Sequence, residues 1–280
     1  MLHDAHNHLQ FDELTPHWEE IERDLAGIRL GRAVVNGTHP DDDWGAVSAL
    51  AARFPWVIPS YGVHPWDVGT RPADWQTKFT ARFAAEPHAV VGEIGIDRWI
   101  LKSTDPHDPH LDGVVAAPLE EQIEVFTWQL GWAAVHNRPA SIHCLHAWGE
   151  LLHTLRDAPL PRGGFLLHAY GGPTEMVPAF AELGAYFSFN TSFIDPHKTR
   201  KRAAFRAVPT DRLLVETDAP ATPAPAPRFH LGDNPRINHP ANLAHAYDDL
   251  ASLRAIQPPA LEEQIAANFE RLFGPPRKQP

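Results

Sequence analysis

The strongest constraint on the fold is a regular alternation of short apolar runs with longer amphipathic segments. The apolar runs are rich in β-branched residues and have the length of buried strands, whereas the segments between them have helical periodicity. Eight runs predict strands: Leu2–Ala5, Ala33–Asn36, Val57–Tyr61, Ala89–Glu93, Ala140–His143, Gly164–His168, Ala185–Phe189 and Leu213–Glu216. Strict alternation of strand and helix indicates a parallel sheet, because each strand needs a crossover to restart in the same direction.

Eight parallel strands can close on themselves, so we predict an α/β protein with a (β/α)8 (TIM) barrel. The length of 280 residues suits a single barrel domain over residues 1–280. An open doubly wound sheet is the alternative, although no GxGxxG follows an early strand to support its dinucleotide-binding form. The predicted helices are Trp18–Arg29, Trp44–Arg53, Trp75–Ala85, Glu120–His136, Trp148–Arg156, Met176–Leu183, Lys198–Ala207, Ala241–Ala255 and Leu261–Leu272.

Composition narrows the class of protein further. The formal net charge of −11 argues against a broad face that binds duplex nucleic acid without specificity. The single cysteine, Cys144, excludes an internal disulfide, and its alternation with His143 predicts a buried, inert thiol. No apolar run approaches ~20 residues, so we expect no membrane partner and a cytoplasmic location.

Residues that can bind metals stand at the ends of the first, fourth, fifth, sixth and eighth predicted strands. They are His6, His8, Glu93, His143, His168 and Asp218. Because the carboxyl ends of barrel strands meet around one axis, residues far apart in the sequence can converge there. With 18 histidines in the chain, an HxH triplet is expected about once by chance. The prediction of a metal site therefore rests on all six residues together.

Four imidazoles and two carboxylates suit a pair of divalent cations such as Zn²⁺, Mn²⁺ or Mg²⁺. A carboxylate such as Glu93 can bridge two metals that hold a hydroxide between them, and Asp218 would position that hydroxide and move its proton. This chemistry hydrolyses esters and phosphoesters.

Two long segments, 99–118 and the proline-rich 219–240, interrupt the alternation. Each follows the carboxyl end of a predicted strand, the face on which barrel active sites are built. We therefore predict that both contribute to the site, the alternative being plain surface loops.

A basic cluster follows the seventh predicted strand, after Asn190. Its members are Lys198, Arg200, Lys201 and Arg202. A run of charge is most often a solvated helix face. In an otherwise acidic chain it could also draw phosphate groups toward the site, and on this hypothesis Asn190 and Arg200 bind substrate.

Nearly the whole chain resembles the TatD-type deoxyribonucleases, which are metal-dependent hydrolases on an amidohydrolase-like barrel. The resemblance rests on motifs in a specific order: DAHNHL at 4–9, YGVHPW at 61–66, GEIGID at 92–97, LLHAYGG at 166–172 and RLLVETDAP at 212–220. It implies one metal on His6, His8, Glu93 and Asp218, and a second on Glu93, His143 and His168. It also implies that His64 contacts a substrate phosphate.

The resemblance implies hydrolysis of DNA, single-stranded or at 3′ ends, by a metal-bound hydroxide. Three features depart from the family pattern: Trp99 where a tyrosine is usual, a longer loop after GEIGID, and His239 where an acidic residue is commoner. These departures and the net charge keep open a second hypothesis, a binuclear hydrolase of a small ester, amide, lactone or phosphoester. A binding protein on a catalytically idle barrel is the third.

Overall fold

The computed structural model describes residues 1–102 and 113–274. Its centre is an eight-stranded parallel sheet in which each strand pairs with the next one along the chain. The strands are β1 (Leu2–Asn7), β2 (Leu30–Gly37), β3 (Val57–Tyr61), β4 (Val90–Asp97), β5 (Ala140–Leu145), β6 (Phe165–Leu167), β7 (Ala185–Asn190) and β8 (Leu213–Glu216).

Helices cover the outside of the sheet. They are α1 (Trp18–Gly27), α2 (Trp44–Arg53), α3 (Trp75–Ala85), α4 (Leu119–Val135), α5 (Trp148–Asp157), α6 (Val177–Glu182), α7 (Thr199–Ala207), α8 (Leu243–Arg254) and α9 (Pro258–Phe273). Their buried residues recur every three or four positions, as Trp75, Phe79 and Phe83 do on α3. Each helix therefore turns one apolar face toward the strands.

The sheet closes where β1 lies beside β8. The backbone N–H of Asp218 donates to the carbonyl of His6 at 3.0 Å, and that of His8 donates to the carbonyl of Ala219 at 2.7 Å. The predicted single (β/α)8 architecture is thereby confirmed, and the open doubly wound alternative is wrong. The closure also joins the first and last motifs of the predicted site.

Several strands continue past the ends that the sequence predicted. β1 runs through His6 to Asn7, β4 runs through Glu93 to Asp97, and β5 runs through His143 to Leu145. The prediction that these ligands end or follow their strands was therefore wrong. The apolar runs stop early because the inner face of a barrel strand becomes polar where it lines the site.

The structure describes the two long segments to different extents. Residues 103–112 of the 99–118 segment lie outside the described residues. The 219–240 segment is held to the barrel, because the side-chain amide of Asn238 donates to the carbonyl of Thr217 at 2.8 Å and its backbone N–H donates to Pro220. Within the described ranges, no helix is long and apolar enough to cross a membrane.

Candidate metal centre

Glu93 lies at the centre of a buried cluster on the carboxyl-end face of the barrel. Its Oε2 atom lies 3.2 Å from the Nε2 atoms of both His6 and His8. Those two nitrogens are 3.3 Å apart. His6 on β1 and His8, which directly follows the strand, therefore converge on one oxygen of the β4 carboxylate.

The other oxygen of Glu93 faces a different group of histidines. Its Oε1 atom lies 2.8 Å from His168 Nε2, 3.0 Å from His143 Nδ1 and 3.3 Å from His64 Nε2. The His168 ring also stacks on that of His6, with centroids 3.9 Å apart. Glu93 thus separates the cluster into two sides, one for each carboxylate oxygen.

Asp218 completes the first side from the turn after β8. Its Oδ1 atom lies 3.8 Å from His6 Nε2 and 3.7 Å from His8 Nε2. Its backbone has φ 53°, a left-handed conformation that is uncommon for a residue with a side chain and recurs at functional sites. All six predicted ligands are therefore brought together.

The ring nitrogens that face inward are those that a metal would need. His8 Nδ1 lies 2.8 Å from the carbonyl oxygen of Asn36, which can only accept, so this nitrogen carries a proton and Nε2 is the atom left to bind a metal. His143 Nε2 in turn lies 3.1 Å from the buried Asp97 carboxylate, which leaves Nδ1 toward Glu93.

Potential ligand atoms within 4.8 Å of one another form three groups, His6/His8/Glu93, His6/His168/Asp218 and His64/Glu93/His143. The donor set fits divalent metal binding.

The charges of the site follow from its burial. Burial raises the pKa of Glu93, but the neighbouring His168, His64 and His6 outweigh it and hold that pKa well below its ordinary value. Glu93 is therefore a carboxylate. Burial, opposed by the charge of His168, raises the pKa of Asp218 to about 6.

Residues that the sequence prediction missed hold the ligands in place. The Asp97 carboxylate accepts from His143, and the Ser141 hydroxyl lies 2.8 Å from His6 Nδ1. Glu216 Oε1 is the acidic atom nearest His168 Nδ1, at 3.9 Å, which is too far for a hydrogen bond. Asp4 accepts from the hydroxyl of Thr217 at 2.6 Å and so fixes the turn that carries Asp218. Asp4, Asp97 and Glu216 all stand in the motifs that carried the prediction, within four residues of a predicted ligand.

The predicted substrate-contacting residues lie in three different settings. His64 reaches Glu93, as described above. Asn190 is buried, and its side chain is hydrogen-bonded to Thr217, Thr222 and Ser192. Arg200 is exposed on α7 and has no hydrogen bond or ion pair with any described residue.

Two further residues that the sequence analysis named are not part of this cluster. Cys144 is buried, as predicted, and burial raises the pKa of its thiol. His239, at one of the positions that depart from the family pattern, is buried with its Nε2 atom 3.4 Å from Asp24 on α1.

Comparison with known proteins finds a matching family, related sequences and a similar fold. The model of the family "TatD related DNase" matches residues 3–274. The uncharacterized metal-dependent hydrolase YabD of Bacillus subtilis is 24% identical over 98% of this chain and 99% of its own. The 3′-5′ ssDNA/RNA exonuclease TatD of Klebsiella pneumoniae is 30% identical over 80% of each chain. The crystal structure of YJJV, a TatD homologue from Escherichia coli, superposes with a TM-score of 0.83 at 23% identity, covering 98% of both chains.

Proposed function

The chain belongs to the TatD-related DNase family of metal-dependent hydrolases, and from this premise we propose that it hydrolyses phosphodiester bonds in single-stranded DNA with two divalent ions. The observation that carries the proposal is the two-sided arrangement around Glu93, whose Oε2 faces His6 and His8 while Oε1 faces His143 and His168. A carboxylate whose two oxygens face different groups of histidines is suited to bridge two ions.

The residues divide naturally between two ions. Glu93, with His6, His8 and Asp218, would hold the first, and Glu93, with His143 and His168, would hold the second. Divalent ions such as Zn²⁺, Mn²⁺ or Mg²⁺ would supply Lewis acidity that activates water and stabilises charge on phosphate oxygens.

Asp218 is suited to move the proton of the attacking water. Its carboxylate lies beside His6 and His8, where an ion would activate the attacking water, and a carboxylate in that position can accept the proton. The hydroxyl of Thr222 donates to its Oδ2 atom at 3.3 Å and steadies the side chain, while Oδ1 stays on the side of His6 and His8.

His64 is suited to bind a phosphate oxygen. Its Nδ1 atom accepts a hydrogen bond from the backbone N–H of Trp66 at 3.2 Å, so Nε2, the atom that points into the site, carries a proton. This nitrogen is a hydrogen-bond donor and is therefore better suited to an anionic oxygen than to a metal.

Aromatic rings beside the cluster favour a nucleic acid over a small ester. The half-buried rings of Trp66 and Trp99 stack on each other, with centroids 5.7 Å apart and planes 24° apart. Trp66 Nε1 donates to Asp97 at 2.6 Å, which places this pair next to His143. Unpaired bases stack on such rings, and a strand without a partner leaves its bases free to do so.

A substrate panel tests the proposal. The purified protein is stripped with a chelator, reloaded with Mg²⁺, Mn²⁺ or Zn²⁺ in turn, and assayed on end-labelled single-stranded DNA, duplex DNA, a chromogenic phosphodiester and a chromogenic acetate ester. We expect cleavage of single-stranded DNA that the chelator abolishes. Glu93→Gln should lose at least about 1000-fold in rate, since it removes the charge shared by both ions. Glu124→Gln, on the exposed face of α4, is the matched control.

The same panel separates the second hypothesis. The net charge of −11 favours small substrates, because it opposes the approach of a polyanion. Faster turnover of the small esters than of any DNA would establish a small-molecule hydrolase instead. A metal-loaded wild type that cleaves no DNA would overturn our proposal.

A further inference from the structure

The basic cluster after β7 separates into side chains with different surroundings. The Arg202 guanidinium donates from Nη1 to the carbonyls of Phe193 and Ile194, at 3.2 and 3.3 Å, and closes the turn between β7 and α7. Arg200 is exposed. Lys201 is the member whose side chain turns inward, where it is half-buried.

Lys201 lies between two loops of the face that carries the metal ligands. Its Nζ atom is 4.5 Å from the ring centroid of Phe193, in the turn after β7. It also covers Gly171, three residues after His168, so closely that a Cβ atom on this glycine would lie 3.0 Å from Lys201 Cε and 3.4 Å from Nζ. The absence of a side chain at Gly171 therefore leaves the space in which the ammonium lies.

Among residues 1–102 and 113–274, none provides a counterion in contact with this ammonium. It makes no hydrogen bond or ion pair with any described residue, and the contact with Phe193 is weaker than a carboxylate would provide. Burial and the neighbouring Lys198 lower the pKa of Lys201 to about 8, against the opposite effect of Glu216 and Asp218. Holding a cation there costs free energy in the free protein, and an anion that binds beside it would recover this cost.

We propose that Lys201 is a specificity-determining residue whose ammonium binds a non-bridging oxygen of a substrate phosphate at the mouth of the site. This inference rests on the proposed function, because it takes the anion to be part of a nucleic acid strand. An ammonium on a flexible stem suits phosphate as a point charge. Phosphate binding by Lys201 also explains how an acidic protein can admit a polyanion, since the positive charge that attracts the strand is confined to one position between two loops.

Paired changes in the protein and in the substrate test the inference. Lys201→Met keeps the length of the stem and removes the charge, and Lys201→Arg keeps the charge. Arg206→Met removes an exposed charge further along α7 and is the control. Each metal-loaded protein is assayed on single-stranded oligonucleotides with normal linkages and on the same oligonucleotides with one uncharged methylphosphonate next to the cleaved bond. Inorganic phosphate affinity is measured by calorimetry.

We expect Lys201→Met to raise KM for the normal strand roughly 10- to 100-fold with little change in kcat, as for loss of a charged hydrogen bond. The slope of log KM against log salt concentration should fall by about one relative to the wild type. The oligonucleotide with the methylphosphonate should bind the wild type and Lys201→Met equally. Lys201→Arg should restore most of the affinity, and inorganic phosphate should bind Lys201→Met more weakly.

Equal KM, salt slope and phosphate affinity in Lys201→Met and Arg206→Met would overturn the inference while leaving nuclease activity established. A wild type that cleaves no DNA, but whose phosphate affinity still depends on Lys201, would instead overturn the proposed function and keep the anion site. Matched circular dichroism spectra of the variants show that each has folded.

Discussion

The Nε2 atom of His143 lies 3.1 Å from the Oδ2 atom of Asp97, and this contact sets which nitrogen of the imidazole faces Glu93. The same Oδ2 atom accepts from Trp66 Nε1, and Oδ1 accepts from the backbone N–H of Trp99 at 2.7 Å. Burial raises the pKa of Asp97, but the hydrogen bond from His143 outweighs it and lowers that pKa, so the group is ionised. One buried carboxylate thus joins a predicted metal ligand to the aromatic pair.

The first prediction concerns Asp97→Asn. The amide keeps the shape of the side chain but removes the charge that orients His143, so metal affinity should fall about 10- to 100-fold. Metal content after dialysis against graded metal buffers, by mass spectrometry, measures this. Asp211→Asn, at an exposed position, is the control. Equal metal affinity in Asp97→Asn and the wild type would mean that His143 needs no orienting carboxylate.

The second prediction concerns removal of the metal. Four histidines and two carboxylates converge in the site only when the chain is folded. Ions that bind there should therefore stabilise the folded state. At a free metal concentration of 100 times Kd, the gain is about 2.7 kcal/mol, which corresponds to roughly 5–10 °C in Tm for a chain of this size.

Thermal unfolding with and without chelator measures the shift. It should nearly vanish in Glu93→Gln and persist in Glu124→Gln. A chelator that leaves the wild-type Tm unchanged would contradict the prediction.

The convergence of the six predicted ligands could be anticipated because each stands where an apolar run gives way to polar sequence. Glu93 is an example: VVGE reads as the end of a strand, although β4 continues to Asp97. The sequence therefore placed Glu93 in the cluster correctly, although the predicted strand boundary was wrong. Periodicity cannot distinguish a strand that ends from a strand whose inner face becomes polar.

The supporting residues were harder to predict, because their roles depend on contacts across the barrel. Ser141 reaches His6 from 135 positions away, and Asp4 reaches Thr217 from 213 positions away. On α7, the sequence TRKRAAFRA is too polar for its pattern to show which basic side chain turns inward. Arg200 and Lys201 are adjacent, and only the packing against Gly171 and Phe193 distinguishes them.

The third prediction concerns base stacking on Trp99. Trp99→Leu removes the aromatic face and leaves the bond between Trp66 and Asp97, so KM for single-stranded DNA should rise. Loss of one stacked base costs about 1–3 kcal/mol, or roughly 5- to 150-fold. Turnover of a small chromogenic phosphodiester should not change, because it has no base to stack, and Trp99→Tyr should retain most of the affinity. An equal loss on both substrates would point to a disturbed site instead.

The fourth prediction concerns the pH dependence of stability, through His3, which stands on β1 three residues before His6. His3 is buried against Phe269, with ring centroids 4.6 Å apart, and its Nδ1 atom has no hydrogen-bond partner among the described residues. Burial, helped by the positive charges of Arg32 and the N-terminus, lowers the pKa of His3 to about 4.

Between pH 6.5 and pH 4 the unfolded chain therefore binds a proton at His3 that the folded chain does not, and the free energy of unfolding falls as pH falls. His3→Phe keeps the stacked ring and cannot be protonated, so its loss of stability between pH 7.5 and pH 5 should be smaller than that of the wild type. Urea unfolding at the two pH values, with chelator present, measures the difference. His153→Phe, at an exposed position on α5, should behave as the wild type does. If His3→Phe loses as much stability as the wild type, the imidazole of His3 is not held neutral by the fold.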